Sequence, residues 1–153
     1  MTAVVAGSPF PRHVLGLDAD LSASCGTLID IAPSRSSVLL RLACLTGLTV
    51  TLDAEAVDAL VEALRTGDIR VVGAHHVQRG RVLLGTRPHL LPGRPAAEVD
   101  QGPMELELHL DHRRHIRIVF ARPQVTELIG FLAEARARLA PSRSRTSTTK
   151  DIP

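Results

Sequence analysis

The chain has 153 residues, of which 44% are hydrophobic, and a formal net charge of +2. This length suits a single domain with a substantial core, and no apolar run is long enough to span a membrane as a helix. Residues 1–13 lack the basic and apolar regions of a secretory signal, so we expect a cytoplasmic protein.

Aromatic residues and lysines are scarce. The chain has no Tyr or Trp and three Phe residues, Phe10, Phe120 and Phe131. Lys150 is its only lysine. Too few aromatic faces are present for a protein that stacks single-stranded bases. The preference for Arg over Lys resembles the codon usage of a GC-rich bacterial genome, so the arginines are weak evidence for phosphate binding.

Charge is divided unequally along the chain. Residues 1–68 have a net charge of −4 and residues 69–153 have a net charge of +6. Such an asymmetry can steer an anionic partner. Part of the positive charge lies in residues 141–153, a basic tail rich in Ser and Thr that we expect to be disordered, leaving a domain over residues 1–140.

The first half of the chain predicts four strands and a helix. Weak strand patterns cover 13–19 and 26–32, and apolar residues alternate in twos from 38 to 52. The spacing then changes to that of an amphipathic helix, with Asp53 suited to cap its start and Gly67 to end it. Cys25 and Cys44 have no CxxC spacing, and we expect free, buried thiols, with a disulfide between them as the alternative.

The second half repeats this order. Strand patterns cover 68–77 and 81–86, and 87–103 is rich in Pro and Gly and is expected to be an irregular loop. Alternation then runs from 106 to 120, and Pro123 suits the first position of a second helix. Both halves therefore predict the order ββββα.

An internal repeat relates the two halves. A shift of 68 residues places 38–64 over 106–132 without a gap, and the apolar positions coincide. We therefore expect halves at 13–67 and 68–140 related by pseudo-twofold symmetry. The predicted fold class is α+β: a two-layer α/β sandwich with a largely antiparallel sheet and two helices on one face.

The segment 109–120, HLDHRRHIRIVF, has the highest density of chemically active side chains. Its alternation predicts a β-hairpin with a polar tip centred on Arg113. The expected cross-strand pairs are Leu110 with Ile116, Asp111 with His115, and His109 with Arg117. The simplest interpretation is a solvated tip with a favourable Asp–His pair.

Two functional interpretations of the hairpin stay open. His109, Asp111 and His115 would share one face and are weak candidates for a divalent metal site. The neighbouring arginines would repel a cation, so we predict neither metal nor cofactor. The alternative is a surface that binds an anion or a partner. It would combine the hairpin tip with a second basic turn near residue 80, and its residues would be His112, Arg113, Arg114, Arg117, Arg79 and Arg81.

No catalytic constellation is evident in the sequence. His75 and His76 are adjacent and would point to opposite faces of a strand, so they cannot chelate one ion together. Cys25 lies in SASCGT, which has no strand–elbow–helix context for a nucleophile. We therefore favour a protein that is not an enzyme.

The predicted function is a non-enzymatic binding or regulatory module that acts through protein–protein interaction. The expected partner is another protein or a second copy of the chain, which would give a homodimer. We expect no contact with a membrane. One alternative is nucleic-acid binding through the Arg-rich turns of the second half. Another is a pocket for a small ligand or substrate between the sheet and the helices.

Overall fold

The computed structural model describes residues 10–20, 22–43, 47–89, 102–111 and 114–140. Its ten elements follow the predicted order, four strands and a helix, twice over. They are β1 (Arg12–Asp18), β2 (Ala23–Ile31), β3 (Val38–Ala43), β4 (Gly47–Leu52), α1 (Ala54–Thr66), β5 (Arg70–His76), β6 (Gly80–Pro88), β7 (Met104–His109), β8 (His115–Phe120) and α2 (Arg122–Ala137). The predicted tail, 141–153, lies outside the described residues.

The eight strands form a closed antiparallel barrel in which spatial order follows sequence order. Each half of the chain supplies a four-stranded meander, and the two meanders join along two narrow contacts that we call seams. At one seam Val50 and Thr51 of β4 pair with His76 and His75 of β5. At the other, Leu17 and Asp18 of β1 pair with Val119 and Ile118 of β8.

The predicted α+β fold, a two-layer sandwich with an open sheet and two helices on one face, is wrong. β1 and β8 pair with each other instead of remaining as sheet edges, so the eight strands close into a barrel that has no edge. The molecule is mostly β, with two helices among the described residues. Alternation within a strand indicates one buried face but does not indicate which distant strands pair.

The core is a single cluster that runs through the barrel interior and under both helices. Because even-numbered strands of an antiparallel barrel run in one direction, α1 and α2 start at the same end as the connections that follow β2 and β6. The connections that follow β1, β3, β5 and β7 lie at the opposite end. Each helix is thereby placed to bury an apolar face against the barrel. The fully buried helix residues include Val57, Leu60, Leu64, Val125, Leu128 and Leu132.

The helix termini agree with the sequence signals in the first half and differ in the second. Asp53 caps α1 by accepting a hydrogen bond from the backbone N–H of Ala56 at 2.8 Å, and Gly67 ends the helix in the left-handed region at φ 78°. In α2 the N-cap is Ala121, which makes no side-chain cap, and Pro123 is the second helical residue.

The β7–β8 hairpin has a register two residues away from the predicted one. Leu108 lies opposite Ile116, His109 opposite His115, and Glu107 opposite Arg117. The Asp111 carboxylate accepts the Arg114 backbone N–H at 2.9 Å, and Leu110 donates to the Arg114 carbonyl at 3.0 Å. The turn therefore uses five residues, 110–114, whereas the predicted pairing left only three.

The prediction of a free thiol at Cys25 is also wrong. Cys25 is fully buried on β2 and is disulfide-bonded. The chain has one other cysteine, Cys44, which lies outside the described residues. Cysteine spacing in the sequence did not reveal the bond, because a disulfide depends on distance in the folded chain.

Candidate functional site

The arginines predicted to form a basic surface contact carboxylates at the turn end of the barrel. Nη1 of Arg79 lies 3.4 Å from Oδ2 of Asp111, and Nε of Arg114 lies 3.8 Å from the same oxygen. The structure thus brings the β5–β6 and β7–β8 turns together through Asp111. His112 and Arg113 lie outside the described residues.

Arg81 lies away from this cluster, on the outer surface of β6. Its guanidinium lies close to Gly73 of β5, where a Cβ atom would be 3.2 Å from the Arg81 Nε. Of the neighbouring histidines, His75 is exposed and His76 is buried, as their adjacent positions on a strand predicted.

The metal candidates are divided between two sets of contacts. The rings of His109 and His115 stack at a centroid distance of 5.7 Å, whereas Asp111 faces Arg79 and Arg114. Within the part of the chain that the structure describes, no group of three or more His, Cys, Asp or Glu residues is placed to hold a metal ion.

Arg117 is the centre of an ion-pair cluster on the outer surface of β7 and β8. Its guanidinium lies 3.2 Å from Oε1 of Glu105, 3.7 Å from Glu107 and 3.4 Å from Asp20. Nδ1 of His89 lies 2.6 Å from Oε2 of Glu105. The cluster fastens the end of β6 and the turn after β1 to the middle of the β7–β8 hairpin.

Glu105 is 4% exposed although it faces outward. Burial by itself raises the pKa of the carboxyl, but the hydrogen bonds with His89 and Arg117 outweigh burial, so the pKa of Glu105 is lowered. The same pair raises the pKa of Arg117. Glu105 is therefore ionised and paired with the Arg117 guanidinium, which is the arrangement of a structural ion pair rather than of a general base.

Two further buried polar groups have structural roles. Asp18 and His76 are the last residues of β1 and β5, and both lie at the seams. Asp18 accepts the Asp20 backbone N–H at 2.9 Å, and Nδ1 of His76 accepts the backbone N–H groups of Gln78 and Arg79 at 3.2 Å. Each side chain closes the hairpin turn that follows it.

Apolar side chains on the outside of β5 and β6 have no such structural explanation. We call Val71, Gly73, Leu83 and Gly85 the β5–β6 face. Val71 lies opposite Gly85, and Gly73 lies opposite Leu83. Val71 is 58% exposed and Leu83 is 43% exposed. Gly85 is buried beside Val71, and the Arg81 guanidinium lies against Gly73, so this surface combines two exposed apolar side chains with one arginine.

A second apolar surface lies on β1 and β2. We call Leu15, Leu17, Gly26 and Leu28 the β1–β2 face. Leu15 lies opposite Gly26 and is 61% exposed, and Leu17 is 45% exposed. Exposed apolar side chains that adjoin one another mark interaction sites more often than scattered ones do.

The sequence interpretation assigned no function to these two faces, although a signal was present. Val71 and Val72 are adjacent, as are Leu83 and Leu84, and neighbouring residues on a strand cannot both point inward. In β1 the alternation itself misleads, because the inward positions are Val14, Gly16 and Asp18. Only the packed barrel shows that Leu15 and Leu17 point outward.

No family model, no curated protein and no solved structure matches the chain. Within the described ranges, neither helix is long and apolar enough to cross a membrane.

Proposed function

We propose that the protein is a non-enzymatic module that acts by associating with a second copy of itself. The observation that supports this proposal is the β5–β6 face, where Val71 and Leu83 are exposed beside two glycines. Covering such a surface removes apolar area from water, which is the main favourable contribution to association.

The experiment is light scattering over a dilution series of the full chain, together with two variants. We expect the mass of the wild type to fall with dilution from that of an assembly to that of a monomer. Val71→Glu places a charge in the contact and is expected to remain a monomer throughout the series. Val77→Glu is the matched control, because Val77 is 84% exposed but lies in the turn outside the face.

A constant monomer mass of the wild type at every concentration would overturn the proposal. Equal behaviour of the Val71→Glu variant and the wild type would place the contact elsewhere and would also contradict it. Circular dichroism of each variant checks that the barrel is intact.

The nucleic-acid alternative has less support. Arg79, Arg114 and Arg117 each lie within 4 Å of a carboxylate oxygen, at 3.4, 3.8 and 3.2 Å. A phosphate would have to displace these carboxylates before it could bind the guanidinium groups. A gel shift with DNA or RNA at low salt would revive this alternative.

Among the residues that the structure describes, the pocket alternative also lacks a favourable observation. The apolar faces of both helices are packed into the core, which leaves the space between them and the strands filled. A groove does lie between the two helices, lined by Val61 and Ala133 and by the Asp58–Arg136 ion pair at 3.1 Å. It is an open surface groove and not a pocket under the sheet.

We propose the cytoplasm as the compartment, and the disulfide at Cys25 provides the test. Disulfides are rare in the cytosol, because glutathione and thioredoxin keep thiols reduced. Cells should be quenched in acid and denatured with an alkylating reagent. If the protein is cytoplasmic, the Cys25 disulfide of the folded chain should be reduced in the cell, and Cys25 should then be alkylated directly. Alkylation only after added reductant would contradict the cytoplasmic assignment.

A further inference from the structure

We propose that His109 and His115, which we call the histidine pair, form a binding site for a divalent transition-metal ion of the class of Ni²⁺, Cu²⁺ and Zn²⁺. The site lies on the outer surface of the β7–β8 hairpin, next to its turn. It differs from the three-residue site considered in the sequence, because Asp111 is not among its ligands. The inference is independent of the proposed self-association.

The register of the hairpin places the two histidines side by side. His109 lies directly opposite His115 on the neighbouring strand. The backbone N–H of Leu110 donates to the Arg114 carbonyl at 3.0 Å, and this bond belongs to the adjacent pair of residues. Hydrogen-bonded and non-hydrogen-bonded pairs alternate in an antiparallel ladder, so the histidines form a non-hydrogen-bonded pair. Side chains of such pairs lie closer together.

The spacing of the two rings suits an ion held between them. The ring centroids lie 5.7 Å apart, and the ring planes are inclined by 30°. A metal ion bonded to one nitrogen of each ring at about 2.0–2.1 Å would separate the ring centres by roughly 5–6 Å. The observed spacing therefore matches that of two imidazoles that share one ion.

Both imidazoles are accessible and have nitrogens left to bind a ligand. The His109 side chain is 43% exposed, and His115 is also exposed. Among the residues that the structure describes, neither ring makes a hydrogen bond. Oε1 of Glu107 lies 3.9 Å from Nε2 of His109, which is beyond hydrogen-bond distance. Neutral imidazole is the commonest metal ligand in proteins.

Carboxylates offset the arginines that surround the histidine pair. Nε of Arg114 lies 3.8 Å from Oδ2 of Asp111, and Nε of Arg117 lies 3.2 Å from Oε1 of Glu105. Within the described ranges, the arginines of this cluster are matched in number by carboxylates: Arg79, Arg87, Arg114 and Arg117 against Asp20, Glu105, Glu107 and Asp111. The repulsion of a cation that the sequence led us to expect is therefore offset in the folded hairpin.

Two histidines leave part of the coordination shell open. No group of three or more His, Cys, Asp or Glu residues in the described part of the chain is placed to hold an ion, so water would complete the shell. The site thus differs from a structural zinc site, which has four protein ligands. Imidazole nitrogens favour late first-row transition metals over Mg²⁺ and Ca²⁺, which prefer oxygen ligands.

The test is a calorimetric titration of the full chain with NiCl₂ in a buffer that does not bind metal ions. We expect the wild type to bind one Ni²⁺ per chain and to bind no Mg²⁺ under the same conditions. His109→Ala and His115→Ala should each weaken Ni²⁺ binding by about 100-fold or more, because two linked ligands bind far more tightly than either one alone.

Two histidines outside the pair provide matched controls. His75 is also exposed on the outer surface of a strand, but it lies opposite Arg81 instead of another histidine. His112 belongs to the neighbouring turn and lies outside the described residues. His75→Ala and His112→Ala should both bind Ni²⁺ as the wild type does.

Thermal unfolding provides a second readout that depends on the folded hairpin. An ion that binds the folded chain in preference to the unfolded chain raises the unfolding temperature. We expect Ni²⁺ to raise the unfolding temperature of the wild type and of both controls by several degrees and to leave that of His115→Ala unchanged. The same measurement without metal checks that each variant is folded.

Three outcomes would overturn the proposal. The first is a wild type that binds no Ni²⁺ or binds it no more tightly than His109→Ala and His115→Ala do. The second is loss of binding in His75→Ala or His112→Ala, which would assign the ion to another site. The third is comparable binding of Mg²⁺, which would indicate carboxylate ligands instead of the histidine pair.

Discussion

Gly16 decides which side of β1 faces the barrel interior. A Cβ atom at this position would overlap Cγ2 of Ile118 and would lie 2.9 Å from Cε1 of Phe120. The large ring of Phe120 occupies the space that a side chain on β1 would need. As a result the inward side of β1 carries a glycine, and its leucines, Leu15 and Leu17, are exposed.

Replacing Gly16 with alanine should therefore destabilise the barrel. We expect Gly16→Ala to lower the free energy of unfolding by about 1–3 kcal/mol, the range for an added methyl group in a packed core. Gly26→Ala is the matched control on the next strand, because no atom lies within 4 Å of its Cβ position. Urea unfolding of dilute protein measures both, and equal effects would contradict the steric argument.

The Glu105 ion pair predicts a pH dependence of stability. The pKa of Glu105 is lower in the folded chain than its ordinary value of 4.5. The ionised carboxylate therefore stabilises the folded state above pH 4.5, and this contribution is lost as the pH falls through the lowered folded value. His89 and Arg117 are the partners that provide it.

Glu105→Gln removes this charge with little change of shape. At pH 7 we expect a loss of about 1–3 kcal/mol in the free energy of unfolding, as for other hydrogen bonds to a buried charged group. The difference from the wild type should shrink progressively below pH 4.5. Urea unfolding at pH 7 and at pH 3 tests this. Glu127→Gln, an exposed glutamate of α2, serves as the control, and a difference independent of pH would refute the assignment.

At the scale of elements, the two helices differ in how they begin. Asp53 caps α1 with a side-chain hydrogen bond, whereas Ala121 at the same place in α2 has no side chain that can accept one. The backbone of Ala121 has φ −66° and ψ 160°, the extended conformation that an N-cap residue normally has.

Exchanging the two caps should move stability in opposite directions. We expect Asp53→Ala to lower the free energy of unfolding by about 0.5–2 kcal/mol and Ala121→Asp to raise it by about 1 kcal/mol. Thermal unfolding followed by circular dichroism measures both. If Ala121→Asp had no effect or lowered stability, the missing cap would not limit the stability of α2, and packing alone would fix the start of the helix.

The β3–β4 and β7–β8 hairpins differ in register, which their sequence patterns do not reveal. The repeat aligns Val38 with Leu106, and in the first hairpin Val38 lies opposite Leu52. In the second hairpin Met104, and not Leu106, lies opposite Phe120. A turn that is two residues longer shifts the register by two, which leaves the same faces inward, so the hydrophobic pattern cannot distinguish the two registers.

At the scale of the whole molecule, the halves depend on each other. The two meanders share one core cluster, and each would have two open edges without the other. We therefore expect residues 1–67, expressed alone, not to fold cooperatively. A two-dimensional NMR spectrum should show poorly dispersed amide signals. A dispersed spectrum with a cooperative thermal transition would show that the half is an independent domain.

The sequence by itself determined the local structure. Apolar spacing changed from two to about 3.6 residues at Leu52 and again at Phe120, and this predicted the order of strands and helices. Asp53 and Gly67 marked the ends of α1 because cap residues act within a few positions of the helix. The repeat predicted that both halves would have the same element order.

Only the tertiary structure decided how these elements meet. Closure depends on pairing β1 with β8 and β4 with β5, and each seam has only two residue pairs. So small a contact between distant segments leaves no periodic pattern in the sequence. The same packing placed Gly16 inward against Phe120, turned Leu15 and Leu17 outward, and gave Arg117 its carboxylate partners. Whether a side chain belongs to the core or to a surface is therefore decided by the atoms that pack against it.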